Sequence, residues 1–344
     1  MREIKYTQAI NEAMSQMMGN DCSIFVFGEG VDYNGGIFGS TDGLQQKFGK
    51  ERVFDTPLAE DALTGVCVGA AITGMRPILV HARVDFLMLT MNQLVNHAAK
   101  WPYMCGGNIP ILIRAIVGRG WGQGAQHSQS LQALFAHIPG LQVVMPVFPF
   151  DAKGLIISAL KGKKPVISIE HRWLYDKTGE VPEEIYEVPI GKGKIVKRGE
   201  DVTIVAISQM VIGAMEAAMD LQVKGISAEV IDLRTVRPID TEIICDSVIK
   251  TGRLVVVDTG WKACGVSAEV AAIAAENVSG FLKTNVARIA LPDTPTPSSH
   301  ALENEYYPNS KSITAAVLKI FGINNSSQPE ITKSQIGKHF EGPF

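Results

Sequence analysis

The sequence predicts an α/β fold with two doubly wound domains, each a mostly parallel sheet covered by helices. The chain has 344 residues, enough for about two domains of ordinary size. Short apolar runs alternate with longer segments of helical periodicity, which is the pattern of strands joined by crossover helices. A stretch rich in proline, glycine and charge, Arg172 to Asp201, separates an earlier alternation from a later one.

In the first half, continuous apolar runs predict buried strands, and periodic segments between them predict helices. The predicted strands cover residues 23–27, 78–80, 111–117, 142–145 and 166–169. The predicted helices cover residues 7–18, 44–48, 62–73, 85–101 and 151–160. Gly74 and Pro77 follow the third of these helices and mark its end.

The second half repeats the alternation with a different sequence. Its predicted strands cover residues 202–207, 228–233, 254–258 and 286–291, and its predicted helices cover residues 211–222, 240–250, 267–278 and 313–321. From residue 324 the composition turns polar, which is typical of a tail. We therefore expect one domain over residues 1–175, a linker over 176–200, a second domain over 201–323 and a tail over 324–344.

Composition excludes several classes of protein. The net charge is −3, so the chain lacks the basic stripe of a nucleic-acid-binding protein. No run of about 18 apolar residues occurs, so no membrane span is expected. The cysteines are scattered and the histidines show no ligand spacing, so we expect no metal site within this chain. The cysteine usage and the absence of a signal-peptide pattern at the start predict the cytoplasm or an organelle matrix.

The stretch from Asp55 to Gly65 places a carboxylate at the start of an uncharged helix. Pro57 biases the residue before it toward an extended conformation, and the helix is predicted to begin close to Glu60. Glu60 is either an acidic residue favoured by the helix dipole or a carboxylate that exchanges a proton with a ligand. Gly65 and Gly69 lie on one face of the helix, where small residues allow another backbone, such as that of a second subunit, to approach closely.

The most glycine-dense loop, Gly118 to Gln129, follows a predicted strand directly. Ligands of doubly wound sheets gather in loops beyond the carboxyl ends of the strands, which is where this loop falls. His127 is either a proton-transfer residue or a loop histidine satisfied by a backbone carbonyl. No Walker loop, dinucleotide-binding fingerprint, nucleophile elbow or zinc-protease motif occurs anywhere in the sequence.

A series of motifs in a fixed order resembles one known family over roughly residues 1–321. The chain is similar to the beta subunits of thiamin-diphosphate-dependent 2-oxoacid dehydrogenases of the pyruvate, branched-chain and acetoin type. The resemblance implies a transketolase-type pyrimidine-binding domain followed by a transketolase-type C-terminal domain. The matching segments are 2–4, 9–13, 55–57 with Glu60, 69–71, 74–77, 93–96, 98–100, 126–129, 139–141, 143–144, 151–155, 230–235 and 293–295.

The resemblance also implies roles for individual residues. Glu60 matches the glutamate that hydrogen-bonds the cofactor's aminopyrimidine and thereby promotes loss of a proton from the thiazolium carbon. His127 matches an active-site histidine that assists acyl transfer to lipoamide, and Phe86 matches an aromatic residue that stacks on the aminopyrimidine. As an alternative, Phe86 is an ordinary core residue at helical spacing. Leu58 and Leu89 complete the cofactor-binding set that the resemblance implies.

Half of the implied cofactor site is missing from this sequence. The family binds the diphosphate and magnesium through a Gly-Asp-Gly motif on an alpha subunit, and no Gly-Asp-Gly occurs here. The resemblance therefore implies that an alpha subunit supplies the diphosphate site and that the magnesium is bound mainly by this alpha subunit. It further implies a second beta subunit and a lipoyl acyltransferase as partners.

Several residues depart from the family pattern. Arg83 and His81 stand where pyruvate and branched-chain members carry mostly apolar or small residues, so they are candidates for binding a polar or anionic substrate group. The alternative for Arg83 is an internal ion pair, with Asp85 as a candidate partner. Gly162-Lys163-Lys164 replaces a turn that helps to hold potassium in some members, which argues against that ion here.

Two other functions remain open at this point. The first is the C-terminal half of a split transketolase-like carboligase, a class that carries Glu-His where this chain has Glu60-Asp61. The second is a non-catalytic subunit that kept only the fold, which the retention of Glu60, Phe86 and His127 disfavours. The genes beside this one would discriminate between the possibilities, because a complex requires an alpha chain and a lipoyl acyltransferase.

Overall fold

Two largely parallel sheets with helices on both faces organise the computed structural model, which describes residues 1–33, 35–118 and 123–323. The predicted fold class is confirmed. The predicted polar tail, 324–344, lies outside the described residues, and so do four positions of the glycine-rich loop, 119–122.

The strands are short and mostly buried. In chain order they are β1 Arg2–Lys5, β2 Ile24–Gly28, β3 Val53–Asp55, β4 Arg76–His81, β5 Leu112–Val117, β6 Gln142–Val144, β7 Val166–His171, β8 Thr178–Val181, β9 Lys194–Lys197, β10 Val202–Ala206, β11 Ala228–Asp232, β12 Thr235–Arg237, β13 Leu254–Trp261 and β14 Ala287–Leu291.

The helices lie between the strands, as the sequence pattern predicts. They are α1 Tyr6–Asn20, α2 Leu44–Phe48, α3 Glu60–Ile72, α4 Trp101–Cys105, α5 Gln132–Ala136, α6 Pro149–Lys161, α7 Met210–Val223, α8 Thr241–Thr251, α9 Val266–Val278, α10 His300–Tyr306 and α11 Ser310–Ile320. Short 3-10 helices cover Gly36–Gly39, Val84–Thr90, Arg172–Leu174 and Ser279–Phe281, and a π-helix covers Asn92–Ala98.

The first sheet has the strand order β12-β6-β7-β5-β4-β2-β3, with only β12 antiparallel to its neighbour. Successive residues of a strand point to opposite faces, and both faces are apolar here. Val26 and Val80 pack into one core cluster, whereas their neighbours Phe27 and Leu79 pack into the other. The carboxyl ends of β2, β3, β4 and β5 therefore meet at one edge of a sheet that is buried on both sides.

The second sheet has the order β14-β13-β10-β11-β9, and β9 runs antiparallel along its edge. Helices α7 and α11 pack together on one face and α8 and α9 pack together on the other. The loops at the carboxyl ends of β10 and β11 face the first unit: Gln209, after β10, lines a cavity with Arg83, and Arg234, after β11, contacts Asp151.

The segment expected to be a linker, 176–200, contains two strands. β8 pairs antiparallel with β1, and β9 pairs with β11. Both are edge strands of four residues whose side chains are mostly exposed or half-buried, and their weak apolar signal explains why the sequence did not indicate them. The domain boundaries themselves stay a prediction.

The prediction of one continuous helix over residues 85–101 is wrong in its detail. The chain forms a 3-10 helix over Val84–Thr90 and then a π-helix over Asn92–Ala98. Asp85 turns its carboxylate to Gln129 and the Thr90 hydroxyl donates to the Leu87 carbonyl oxygen at 2.8 Å, so side chains compete with regular helix bonds. Such irregular turns are common beside functional sites.

The two units interlock through the segment after β11. The chain leaves the second sheet after β11, and the next strand, β12, pairs with β6 of the first sheet. Just before it, the Arg234 guanidinium donates to the Asp151 carboxylate at 2.9 Å and to the Gly193 carbonyl oxygen at 2.8 Å. Burial, followed by the nearby Asp151 charge, raises the pKa of Asp232 to about 8.

The raised pKa of Asp232 predicts that the stability of the fold depends on pH. The folded chain keeps a proton on Asp232 that the unfolded chain, with an ordinary pKa near 4, has released. Stability should therefore fall as pH rises toward 8, by at most about 1.4 kcal/mol per pH unit. We expect Asp232→Asn to reduce the pH dependence of the free energy of unfolding between pH 6.5 and 8, measured by urea denaturation.

Asp246→Asn is the matched control, because the Asp246 side chain is exposed. In this variant the free energy of unfolding should depend on pH as it does in the wild type. His81, whose pKa burial lowers to about 4, contributes a pH dependence of opposite sign that fades as pH rises above about 6.5, the ordinary pKa of histidine. This contribution is the same in the wild type and in both variants, so it cancels in the comparison. An unchanged slope in Asp232→Asn would contradict the assignment.

Candidate active site

Three carboxylates gather at the carboxyl edge of the first sheet. Asp55 ends β3 and accepts from the backbone N–H of Gly30 at 2.6 Å, and Glu60 begins α3 shortly afterwards. Glu29 follows β2 directly. Burial raises the pKa of Glu29, and the charges of Glu60 and Asp55 raise it further. Glu29 therefore holds a proton more readily than an exposed glutamate does.

The local backbone explains how Glu29 reaches this position. Gly28 pairs with Val80 across the sheet and has φ +141, a value that side chains rarely adopt. A Cβ on Gly28 would overlap the carbonyl oxygen of Val80, so only glycine permits the close packing of β2 on β4.

Glu60 occupies the first turn of α3, which fits either alternative for its role. Its side chain is half-buried, and the Thr64 hydroxyl donates to its backbone carbonyl oxygen at 2.8 Å. Leu58, just before the helix, is 77% exposed, and Leu89 on the neighbouring 3-10 helix is 58% exposed. Large apolar side chains exposed beside a carboxylate indicate a surface that binds another molecule.

Phe86 and His127 meet edge to face, with ring centroids 5.5 Å apart and planes at 84°. Asp85 fixes this arrangement by accepting from the backbone N–H of Gln129 at 3.2 Å and from its side chain at 2.9 Å. Gly118 packs so closely that a Cβ would overlap the carbonyl oxygen of His127. The structure therefore brings the end of β5 and the start of the 3-10 helix together around His127.

Arg83 and His81 lie in different surroundings, Arg83 at a cavity and His81 in the interior. Arg83 lines a cavity with Gln123, whose side-chain oxygen accepts from the Arg83 Nε at 2.9 Å. His81 is 2% exposed and its Nε2 lacks a hydrogen-bond partner among the described residues. Burial lowers the His81 pKa to about 4, so the imidazole is neutral at physiological pH.

The expected partner of Arg83 is engaged elsewhere. Asp85 accepts from Gln129, and within 1–33, 35–118 and 123–323 no carboxylate forms an ion pair with Arg83 within 4.0 Å. The Asp85 charge still raises the pKa of Arg83, but burial outweighs it and the net effect is a lowered pKa.

Comparison with known proteins places this chain in a family. The model of the transketolase pyrimidine-binding domain matches residues 2–177, and that of the transketolase C-terminal domain matches residues 191–313. The beta subunit of the acetoin:2,6-dichlorophenolindophenol oxidoreductase from Cupriavidus necator is 44% identical over 92% of this chain and 97% of its own length. The chain belongs to the transketolase-like family of beta subunits.

Other members of the family are nearly as similar to this transketolase-like chain. The 2-oxoisovalerate dehydrogenase beta subunit of Bacillus subtilis is 42% identical, covering 93% of this chain and 99% of its own. The pyruvate dehydrogenase E1 beta subunit of Staphylococcus epidermidis is also 42% identical, over 91% and 97%. A solved split-gene transketolase, described as an inactive beta4 tetramer, has the same fold, with a TM-score of 0.76, 24% identity, and coverage of 93% and 99%.

Sequence reasoning missed two residues that shape the site of this transketolase-like chain. Glu29 was not among the predicted site residues, although its place just after a predicted strand was a usable signal. Asp85 was considered as a partner of Arg83, whereas it positions the His127 loop. Among the described residues, no cluster of three potential metal ligands occurs and no helix is long and apolar enough to cross a membrane.

Proposed function

We propose that this chain is the beta subunit of a thiamin-diphosphate-dependent 2-oxo acid dehydrogenase. The observation that carries the proposal is the placement of Glu60 and the Phe86–His127 pair beyond the carboxyl ends of β3, β4 and β5 of one sheet. Relatives at more than 40% identity over nearly the whole chain support the reaction class.

The residues present fit the aminopyrimidine half of the cofactor. Glu60 offers a carboxylate oxygen to a ring nitrogen, while Phe86 and the exposed Leu58 and Leu89 offer apolar contact to a planar ring. The cofactor, when bound, supplies the electron sink for decarboxylation. Glu60 holds or releases the proton that this chemistry requires. The half-buried Glu29 lies close enough for the Glu60 charge to raise its pKa.

His127 is proposed to transfer a proton while the acyl group moves to lipoamide. Its imidazole is held against Phe86, and its loop is tied to the buried Asp85 through Gln129. A positioned histidine is worth about 100- to 10,000-fold in general acid–base catalysis. The lipoyl acyltransferase that carries lipoamide is part of this proposal.

The missing diphosphate site predicts an alpha subunit that binds the diphosphate and magnesium. Exposed apolar side chains support buried contacts between chains. Side chains more than 40% exposed lie just before α3 (Leu58), on α3 (Val66 and Ile72) and on the adjoining 3-10 helix (Met88 and Leu89). Gly69 on the same helix has open space around it, which suits the close approach of a second beta subunit. The proposed compartment is the cytoplasm or an organelle matrix.

Reconstitution tests the proposed function. The chain would be co-expressed with the alpha chain encoded beside it. Carbon dioxide release would be followed with pyruvate and branched-chain 2-oxo acids, and release of the aldehyde product would be followed with acetoin, which has no carboxylate to lose. We expect release only when both chains, thiamin diphosphate and magnesium are present. A pure complex that binds the cofactor but decarboxylates none of the 2-oxo acids would favour the carboligase alternative.

A further inference from the structure

A cavity of about 670 Å³ lies between the two units, beside the His127 loop. Phe38, Arg83, Arg172 and Lys177 line it from the first unit, and Gln209 and Glu216 line it from the second. Gly118 is also part of its wall, and Gly118 packs against the backbone of His127. The volume is that of a site for a small molecule.

Two guanidinium groups share one aromatic ring in this cavity. Arg83 lies 5.3 Å and Arg172 lies 4.5 Å from the centroid of the Phe38 ring. The ring attracts each cation, but the two positive charges repel one another, and Arg172 lowers the pKa of Arg83 beyond the effect of burial. The arrangement concentrates positive charge on a partly buried surface.

Two carboxylates, Asp176 and Glu216, also line the cavity, and among the described residues neither forms an ion pair with Arg83. Asp176 lies 3.9 Å from Arg172, but its side chain is 75% exposed and it is closer to Lys5, at 3.0 Å. Arg83 donates to two neutral acceptors, the Ala82 carbonyl oxygen at 2.6 Å and Gln123. A cation held mainly by neutral groups remains available to an anion.

The loop that carries Phe38 is held in an uncommon backbone conformation. Ile37 and Phe38 both have positive φ, at 47° and 54°, which is unfavourable for side chains of this size. The buried Arg114 donates to the hydroxyl of Ser40 at 2.9 Å and anchors the end of this loop. This strained loop places the Phe38 ring within contact distance of both arginines.

We propose that this cavity binds a small anionic molecule through a carboxylate or phosphate group held by Arg83 and Arg172. Guanidinium groups suit such anions because they donate in a planar, bidentate geometry. The anionic group belongs either to the substrate, at its end remote from the reacting carbonyl, or to a separate effector. The assignment of the anionic group to the substrate rests on the proposed function, whereas the proposal that the cavity binds an anion does not.

Direct titration tests the cavity without turnover or cofactor. Inorganic phosphate and succinate would be titrated into the purified full-length chain by calorimetry, with chloride keeping the ionic strength constant. We expect both Arg83→Leu and Arg172→Leu to raise the dissociation constants at least about tenfold. Arg83→Lys should have a smaller effect, since it keeps the charge but loses the bidentate donors, and it guards against misfolding of the leucine variants.

Lys164→Leu is the matched control, because it removes one exposed positive charge elsewhere and should leave binding unchanged. Failure of the wild-type chain to bind either probe at about 10 mM, or equal weakening by Lys164→Leu, would overturn the proposal. In the assembled enzyme, competition of the probe with a dicarboxylic 2-oxo acid would identify a substrate subsite. A change in rate without competition would identify an effector site.

Discussion

Replacing Glu60 by glutamine should lower the turnover of the assembled enzyme by about 100- to 10,000-fold, the range for loss of a general acid–base group. Glutamine keeps the length and shape of the side chain but exchanges no proton. Cofactor affinity should change far less than turnover, because the apolar contacts of Phe86, Leu58 and Leu89 would remain. Steady-state carbon dioxide release and cofactor titration measure the two quantities separately.

Asp61→Asn is the matched control, since Asp61 is the next residue of the same helix and its side chain is exposed. It should reduce turnover only slightly. Equal losses in the two variants would mean that negative charge at the start of α3 matters, rather than the proton chemistry of Glu60. That outcome would return Glu60 to the helix-dipole role that the sequence left open.

The second large effect is expected at a buried ion pair in the first sheet. Arg114 and Glu170 are both fully buried, and two parallel hydrogen bonds of 2.8 Å join them. The Tyr175 hydroxyl donates to the same carboxylate at 2.6 Å. Removing one charge leaves the other buried and unpaired, so we expect Glu170→Gln to destabilise the chain by about 3–5 kcal/mol.

The measurement is the free energy of unfolding in urea at neutral pH. Glu187→Gln breaks an exposed pair with Lys161 and should cost less than about 1 kcal/mol. The double variant Arg114→Met with Glu170→Leu should recover much of the loss, since neither charge then remains buried. A loss for Glu170→Gln no larger than that for Glu187→Gln would contradict this account of the pair.

Much of the fold was predictable because its strands are buried on both faces. Continuous apolar runs such as residues 202–207 and 254–258 are typical of strands covered by helices on both faces of a parallel sheet. The edge strands β1, β8 and β9 were missed because partial exposure removes that signal. Strand β12 was missed for another reason: its three residues pair with β6, far away in the sequence.

The candidate site was predictable only where motifs carried it. Glu60 and His127 each had two physical interpretations, and only the resemblance of the surrounding motifs favoured the catalytic one. Local sequence could not show that Asp85 would reach Gln129, because the bond spans 44 residues and depends on an irregular helix. Nor could it show that Arg83 and Arg172 would meet at Phe38, since those residues come from three separate segments.

The central claim is that Glu60 activates the aminopyrimidine of thiamin diphosphate. Its most direct test is the rate of proton–deuterium exchange at the thiazolium carbon, measured by quenched NMR on the complex with the alpha chain. We predict fast exchange in the wild-type complex, and exchange near the rate of free cofactor in Glu60→Gln with the cofactor still bound. Wild-type exchange in the Glu60→Gln complex would contradict the claim.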